Sequence, residues 1–408
     1  MTKRAPLRVW LNNIEVAAFT TRNGLDLTCN YTAEAHDEWP LNTPVLSCSL
    51  PLGKRKADAL PFAQGLLPEG QHRQAMAERI GVAVNDVYAL LAAFGRDVAG
   101  AVVISTEEPG IRQPHTVRYD AAALEQELAN LDANPLGLHD DSELSIAGLA
   151  DKLLLVRLDD GSWARPVHGH PSTHICKLDD LRRPGLVAAE ADCMKLAYAL
   201  GLTTVEVTVE MIGDRLCLFV SRFDRCTTAA GQVGRIHQED SCQALGIDPS
   251  GQRGRAKYQA SGGPSLANLA DIVDRYASEP TEQLELLIRI AAFNALIGNA
   301  DAHGKNLSFL HPSPGQLTLA PLYDTVPTML WPKLRTAAAM QIDHNDDLAA
   351  ISMANLVAEA KSWRMNGDRA HRAVTTLAEE LLQASTKFEM FEDLASKIQQ
   401  RCRTLLAS

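Results

Sequence analysis

Asp301 and Asn306 lie five residues apart in the segment Gly298-Asn299-Ala300-Asp301-Ala302-His303-Gly304-Lys305-Asn306. Phosphoryl transfer needs a carboxylate beside the attacking oxygen and a metal ligand beside the phosphates. One tight loop can hold both. Asp301 is the expected catalytic base and Asn306 an expected magnesium ligand. His303 and Lys305 add positive or hydrogen-bonding groups for the transferred phosphate. Eighteen residues after Asn306, an apolar run ends in Leu322-Tyr323-Asp324. Asp324 is the expected second ligand, because hard amide and carboxylate oxygens suit magnesium. The plainer alternative is that these residues cap turns, as Asp and Asn often do.

Lys177 ends a strand-like segment, Thr173-His174-Ile175-Cys176-Lys177. Its ammonium would neutralise the α- and β-phosphates of ATP; an edge-strand lysine is the other reading. Glu190 could pair with Lys177, or it could be a first-turn acid favoured by the helix dipole. Ser145-Ile146-Ala147-Gly148-Leu149-Ala150-Asp151-Lys152 is a small-residue turn that runs into a strand. Backbone N–H groups of such a turn can face phosphate oxygens, although neither a Walker A motif nor G-x-G-x-x-G is present. A metal-hydrolase reading of the His303 region fails for want of an H-E-x-x-H pair.

The elements that must position these groups fall into three zones: residues 1–108, 109–245 and 246–408. In the first, Leu7–Val16 is predicted to be a strand with a turn at Asn12-Asn13, and Pro44–Leu52 a second short strand. A helical zone over Pro61–Phe94 breaks at Leu67–Gly70, and Gly100–Ser105 closes the unit as a strand. Glu107–Thr116 is a linker. In the second zone, Ala121–Asn130 and Ala189–Leu200 are predicted helices. Lys152–Leu158 and Ser172–Leu178 are strands, and Val205–Ile212 with Leu216–Phe223 form a hairpin through Gly213-Asp214. From Ser241 onward the pattern is almost all helical. Gly246–Pro264 is a Gly/Ser-rich loop, and Leu266–Tyr276 and Thr281–Ile297 are helices. Short strands near Asn306–Leu310 and Leu317–Leu319 follow, and then helices over Asp347–Leu406. A strand-rich lobe before a helical lobe is a kinase-like order of elements, one not unique to kinases.

The composition fits that order. The chain has 408 residues, 46% of them hydrophobic, enough for several cores. Its net charge of −11 makes it a poor binder of nucleic acid on its own. Arg253, Arg255 and Lys257 form a basic cluster, read as a solvated loop. The eight cysteines contain no C-x-x-C pair, which argues against a zinc ribbon or disulfide scaffold and suits a reducing cytosol. No signal peptide is expected, and Leu284–Ala300 is too polar to span a bilayer.

Taken in order, these segments resemble the HipA family of bacterial toxin serine/threonine kinases. The motifs that carry the resemblance are S-I-A-G-L-A-D-K at 145–152, T-H-I-C-K-L at 173–178 and F-V-S-R-F-D-R at 219–225. R-I-H-Q-E-D-S-C-Q-A at 235–244, I-G-N-A-D-A-H-G-K-N at 297–306 and L-A-P-L-Y-D at 319–324 continue it. L-L-P-E-G at 66–70 and F-G-R-D-V-A-G-A at 94–101 resemble the family's extra N-terminal subdomain. The resemblance implies an α+β, bilobal protein-kinase-like fold: an N-terminal α/β subdomain, a strand-rich N-lobe and a helical C-lobe. It implies an ATP- and magnesium-dependent protein kinase, cytoplasmic and part of a toxin–antitoxin system.

Residue by residue, it implies Asp301 as catalytic aspartate, Asn306 and Asp324 as magnesium ligands, and Lys177 as the ATP-phosphate lysine. Ser145, Ala147, Gly148 and Lys152 belong to the phosphate loop, with Ser145 the site of autophosphorylation. Ser221 to Phe223 would be the hinge that holds adenine through backbone groups, with Asp224 beside the ribose. Ser221 stands where some members carry an acid, and the short stretch from Lys177 to Glu190 suggests a trimmed substrate loop. The implied partners are a small helix-turn-helix antitoxin dimer, through which alone DNA is reached, and a protein substrate such as an aminoacyl-tRNA synthetase. Two further readings stay open: a catalytically weak, nucleotide-binding co-repressor subunit, and a small-molecule kinase.

Overall fold

The computed structural model describes residues 4–54, 56–109, 111–131, 134–147, 151–180, 182–331, 333–387 and 389–408. Asn12 and Asn13 take left-handed φ of +50° and +68° and join strands Leu7–Leu11 and Ile14–Thr20 in a two-residue turn. Asn tolerates that region better than most residues. The two strands sit inside a five-stranded antiparallel sheet with Thr28–Tyr31, Ala57–Asp58 and Val102–Ser105. Helices Leu60–Gly65, Gly70–Arg79 and Val87–Phe94 complete the unit. Its core, around Phe19, Phe62, Leu66, Leu91 and Ile104, also takes in Leu136, Leu138, Leu144 and Leu154 from further along the chain.

The strand expected over Pro44–Leu52 does not form. Ser47 and Cys48 bond instead to the Glu239 carboxylate, and Ser49 donates to the Gln243 carbonyl. The segment's polar groups are thus satisfied by the later part of the chain and not by a sheet partner.

Six antiparallel strands form the second sheet, in the order Val207–Ile212, Arg215–Ser221, His174–Leu178, Lys152–Arg157, Trp163–Val167 and His115–Arg118. The last strand begins inside the expected linker. Alternation places Cys176, Cys217 and Phe219 on one face, against Leu124 and Leu128 of helix Ala121–Ala129. Leu218 and Val220 point to the other face, against Val187, Ala191 and Met194 of helix Leu186–Ala199. Lys177 therefore stands in the sheet's interior, paired with Leu218 on one side and Lys152 on the other.

The remaining lobe packs helices Leu266–Tyr276, Pro280–Ile297, Met353–Ser362, Gly367–Ala384 and Leu394–Leu406 around one large core. Pro280–Ile297 is buried along most of its length because its apolar residues leave almost no polar face. Two pieces of sheet interrupt the helices. Strands His237–Asp240, Ser308–His311 and Thr318–Leu319 lie together, and Ala337–Ile342 pairs with Asn345–Asp347. Among the described residues, no helix is long and apolar enough to cross a membrane.

Candidate active site

The buried helix Pro280–Ile297 stops at Gly298, whose φ of +75° gives the left-handed end that glycine tolerates best. The following turn is pinned on several sides. Asn299 donates from its side chain to Asn294 at 2.9 Å, and its own amide oxygen accepts the Asp301 N–H at 3.0 Å. Ala300 N–H donates to the Thr328 hydroxyl at 2.9 Å. The Asn306 side-chain nitrogen donates to the Asp301 carbonyl at 3.0 Å. That bond commits the amide nitrogen and leaves the amide oxygen as the group able to ligate a cation.

Asp301 accepts a hydrogen bond from the Tyr258 hydroxyl at 2.8 Å. Burial pushes its carboxyl above the usual range; the Tyr258 bond opposes this, and the nearby Asp324 charge adds to it. Lys177 reaches across from the sheet and pairs with Glu190 at 2.6 Å and Asp324 at 2.5 Å. Burial alone would depress this lysine, but the two carboxylates override it and hold its pKa above the usual value. In return Lys177 outweighs burial at Asp324 and draws that carboxyl down to about 2. Burial raises Glu190 despite Lys177. Asp324 takes a left-handed φ of +56°, an uncommon conformation for a side-chain-bearing residue and one found where function fixes the backbone.

Lys152, opposite Lys177 in the ladder, donates to the Ala147 carbonyl at 2.5 Å. Burial and the Lys177 charge lower it to about 8. Ala147 is thus tied to the Lys152–Lys177 rung of the sheet, while Gly148 lies outside the described residues.

Four of the expected site side chains are engaged with other parts of the protein. Lys305 turns away from the cleft: it is buried, paired with Asp240 at 2.7 Å and bonded to the Gly65 carbonyl. His303 is packed edge-on against Tyr258 and drawn down to about 3 by burial and Lys257, so it is neutral and brings no positive charge. Asp224 is 2% exposed, and its carboxylate accepts from the Gly100 N–H, Gln238 and Arg222, with Arg225 alongside. Ser145 is fully buried, its hydroxyl donating to the Leu66 carbonyl and its N–H to the Asp97 carbonyl. At the expected hinge, the N–H groups of Ser221 and Arg222 are bonded to the Glu206 and Thr173 carbonyls. Phe223 packs its ring on Tyr323 at 5.1 Å.

Two residues in this neighbourhood were not singled out from the sequence as site residues. Tyr258 sits in the Gly-rich loop, and Glu69 sits in the N-terminal unit, where it pairs with Lys257 at 2.8 Å. Lys257, read as part of a solvated basic loop, is 4% exposed; Arg253 and Arg255 are indeed exposed. A Lys-Tyr pair just before Gly262-Gly263-Pro264 was the available signal, but nothing local told which lysine would be buried.

Residues 7–105 match the HipA N-terminal domain, and residues 144–387 match the HipA-like C-terminal domain. The chain belongs to the HipA family. It is 36% identical over 394 residues to the Sinorhizobium fredii protein named "Putative kinase Y4mE", covering 94% of this chain and 91% of that one. It is 30% identical over 331 residues to the serine/threonine-protein kinase toxin HipA of Shewanella oneidensis, covering 79% and 75%. Among solved structures, HipA in the Shewanella oneidensis complex of HipA, HipB and operator DNA matches with a TM-score of 0.79 at 26% identity. That match covers 98% of this chain and 96% of the other. The kinase-like α+β fold of this HipA-family chain follows from that match.

Proposed function

We propose that this HipA-family protein is a serine/threonine protein kinase that transfers the γ-phosphoryl group of magnesium-ATP to a protein hydroxyl. The observation that carries the reading is Lys177, bonded at once to Glu190 and to Asp324 beside the Asp301–Asn306 loop. That is the charge pattern phosphoryl transfer asks for: a lysine for the phosphates, two oxygen donors for a cation and a carboxylate for the incoming hydroxyl. Asn306 and Asp324 fit magnesium, being a hard amide oxygen and a carboxylate held low in pKa. Such an ion would supply charge that neutralises the phosphates. Asp301 orients the hydroxyl and accepts its proton, Lys177 steadies the α- and β-phosphates, and the closed loop keeps both in register.

Autophosphorylation at Ser145 belongs to the same reading, with one condition. The hydroxyl is held against Leu66, so residues 144–147 must leave that seat before the serine can accept phosphate. A phosphoserine carries about −1.5 to −2 charges and could not return beside a carbonyl, so modification would hold the loop out and the kinase off. A helix-turn-helix antitoxin dimer that brings this acidic chain to DNA is the partner we propose, and the match to HipA of a HipA–HipB–DNA complex supports it. A cytoplasmic location, where ATP and that partner meet, goes with it. We keep 1–108, 109–245 and 246–408 as the working division of the chain.

The test is phosphoproteomics after expression of wild type and Asp301→Asn in parallel, with peptide mapping of the purified chain. The reading expects protein phosphoserine or phosphothreonine, Ser145 among it, only with wild type. Phosphate found only on small molecules would move the assignment to a small-molecule kinase. Binding of nucleotide and antitoxin with no transfer would leave a co-repressor.

A further inference from the structure

The transferred phosphoryl group gathers negative charge on its equatorial oxygens and needs a cation near the catalytic carboxylate. The loop's own lysine cannot serve, because Lys305 is spent on Asp240 and the Gly65 carbonyl. Lys177 is committed toward Glu190 and Asp324, and Lys152 toward the phosphate loop at Ala147. Among the described residues, one buried lysine by the loop remains, Lys257.

Lys257 is joined to the catalytic loop through its backbone: its carbonyl accepts the Gly304 N–H at 3.0 Å. Its neighbour Tyr258 donates to Asp301 at 2.8 Å, so the dipeptide lies along the loop from Asp301 to Gly304. The Gly262-Gly263-Pro264 turn folds back onto it. A Cβ at Gly263 would come within 2.6 Å of the Ala256 and Lys257 backbone, so only glycine allows that approach. Pro264 in turn packs on Gly304. Arg335 lies over the Tyr258 ring at 4.7 Å and closes the other side.

Among the described residues the Lys257 ammonium has a single carboxylate contact, Glu69 at 2.8 Å, and a lysine has three N–H donors. Glu69 contributes only Oε2 to that contact; among the described residues its buried Oε1 has no hydrogen-bond partner. A pair serving only as a joint would be expected to satisfy both oxygens, as Asp224 does with Arg222. The Lys257 charge is felt at both Asp301 and His303, so the ammonium lies within electrostatic reach of the catalytic carboxylate.

We propose that Lys257 is the cation for the transferred γ-phosphoryl group, held ready by Glu69 of the N-terminal unit, with Tyr258 as a positioning residue that orients Asp301. The proposal rests on the kinase reading and names a group that reading lacks. It gives the N-terminal unit a part in catalysis: Glu69 sets the lysine while the γ-phosphate is absent and yields it when the γ-phosphate arrives.

The experiment measures affinity of the full-length protein for magnesium-ADP and for a magnesium-bound β,γ-imido analogue of ATP, with single-turnover transfer from ATP alongside. Wild type, Lys257→Ala and Lys257→Arg are compared, and melting temperature is recorded for each. The expected result for Lys257→Ala is about tenfold weaker binding of the ATP analogue, ADP binding within about twofold of wild type, and transfer slowed by about 10². Lys257→Arg, which keeps the charge, recovers most of the ATP-over-ADP preference. A lowered melting temperature with unchanged nucleotide preference and rate would make Lys257 a joint between units and overturn the proposal. Equal loss of ADP and analogue binding would overturn it too, by making the defect general. Wild type that binds neither nucleotide would remove the kinase reading itself, and this assignment with it.

Discussion

Two charge clusters in this protein use the same residue types and end differently. Asp97, Arg222, Asp224, Arg225 and Arg235 form one, linking the N-terminal unit to the strands after residue 221. There the two Asp side chains are 1% and 2% exposed, and forked guanidinium groups and backbone N–H groups fill their oxygens. Lys177, Glu190 and Asp324 form the other, and in it Asp324 keeps 37% of its side chain exposed. Arginine's rigid fork suits a permanent joint, whereas lysine is a compact charge that can change partners. The first cluster is closed and holds units together; the second is part-exposed at Asp324.

The contrast can be broken from either end. Asp97→Ala leaves Arg225 and Arg222 short of a buried partner, and the expected loss is about 3–5 kcal/mol of folding stability. Urea unfolding reads it, and a loss under about 1 kcal/mol would mean the joint is not closed. Asp324→Asn should do the reverse: transfer slowed by about 10², with unfolding little changed because the side chain is already part-exposed. A rate within threefold of wild type would remove Asp324 from the site.

A third test concerns pH. Burial lowers His303 to about 3 and His174 and His237 to about 4. The unfolded chain would protonate all three near pH 6.5, at the ordinary histidine value. Below that pH the unfolded state binds more protons than the folded state, so stability falls as pH drops from about 6.5 toward 4. Melting temperature followed across that range should decline steadily. Replacing His237 by Gln should flatten part of the decline, and an unchanged slope would count against its buried neutral form. The smallest effect is expected from Asp224→Asn: measured on folded protein, the KM for ATP should stay within about twofold of wild type. A tenfold rise would support the ribose role of Asp224.

Much of this was legible in the sequence, for identifiable reasons. The Asn12-Asn13 turn, the Leu266–Tyr276 helix and the buried Pro280–Ile297 helix rest on local preference and hydrophobic period, which a single chain displays. The Asp301–Asn306 spacing is local as well. What a single chain does not display is partner choice over long separations. Lys305 and Asp224 have the right types at the right spacings, yet Asp240 and a pair of arginines claim them. Likewise the Pro44–Leu52 segment has strand composition, but Glu239 and Gln243 satisfy its polar groups from about 190 residues away. Lys257 stayed hidden for the same reason, since Glu69, which buries it, belongs to a different unit.

The central claim is that the part-exposed cluster and the Asp301 loop together transfer phosphate to protein. The direct measurement is single-turnover transfer of radiolabelled γ-phosphate by wild type and Asp301→Asn, with nucleotide affinity recorded for both. The account predicts that Asp301→Asn binds nucleotide within a few-fold of wild type and transfers at least about 10² more slowly. Transfer at the wild-type rate by Asp301→Asn would contradict it.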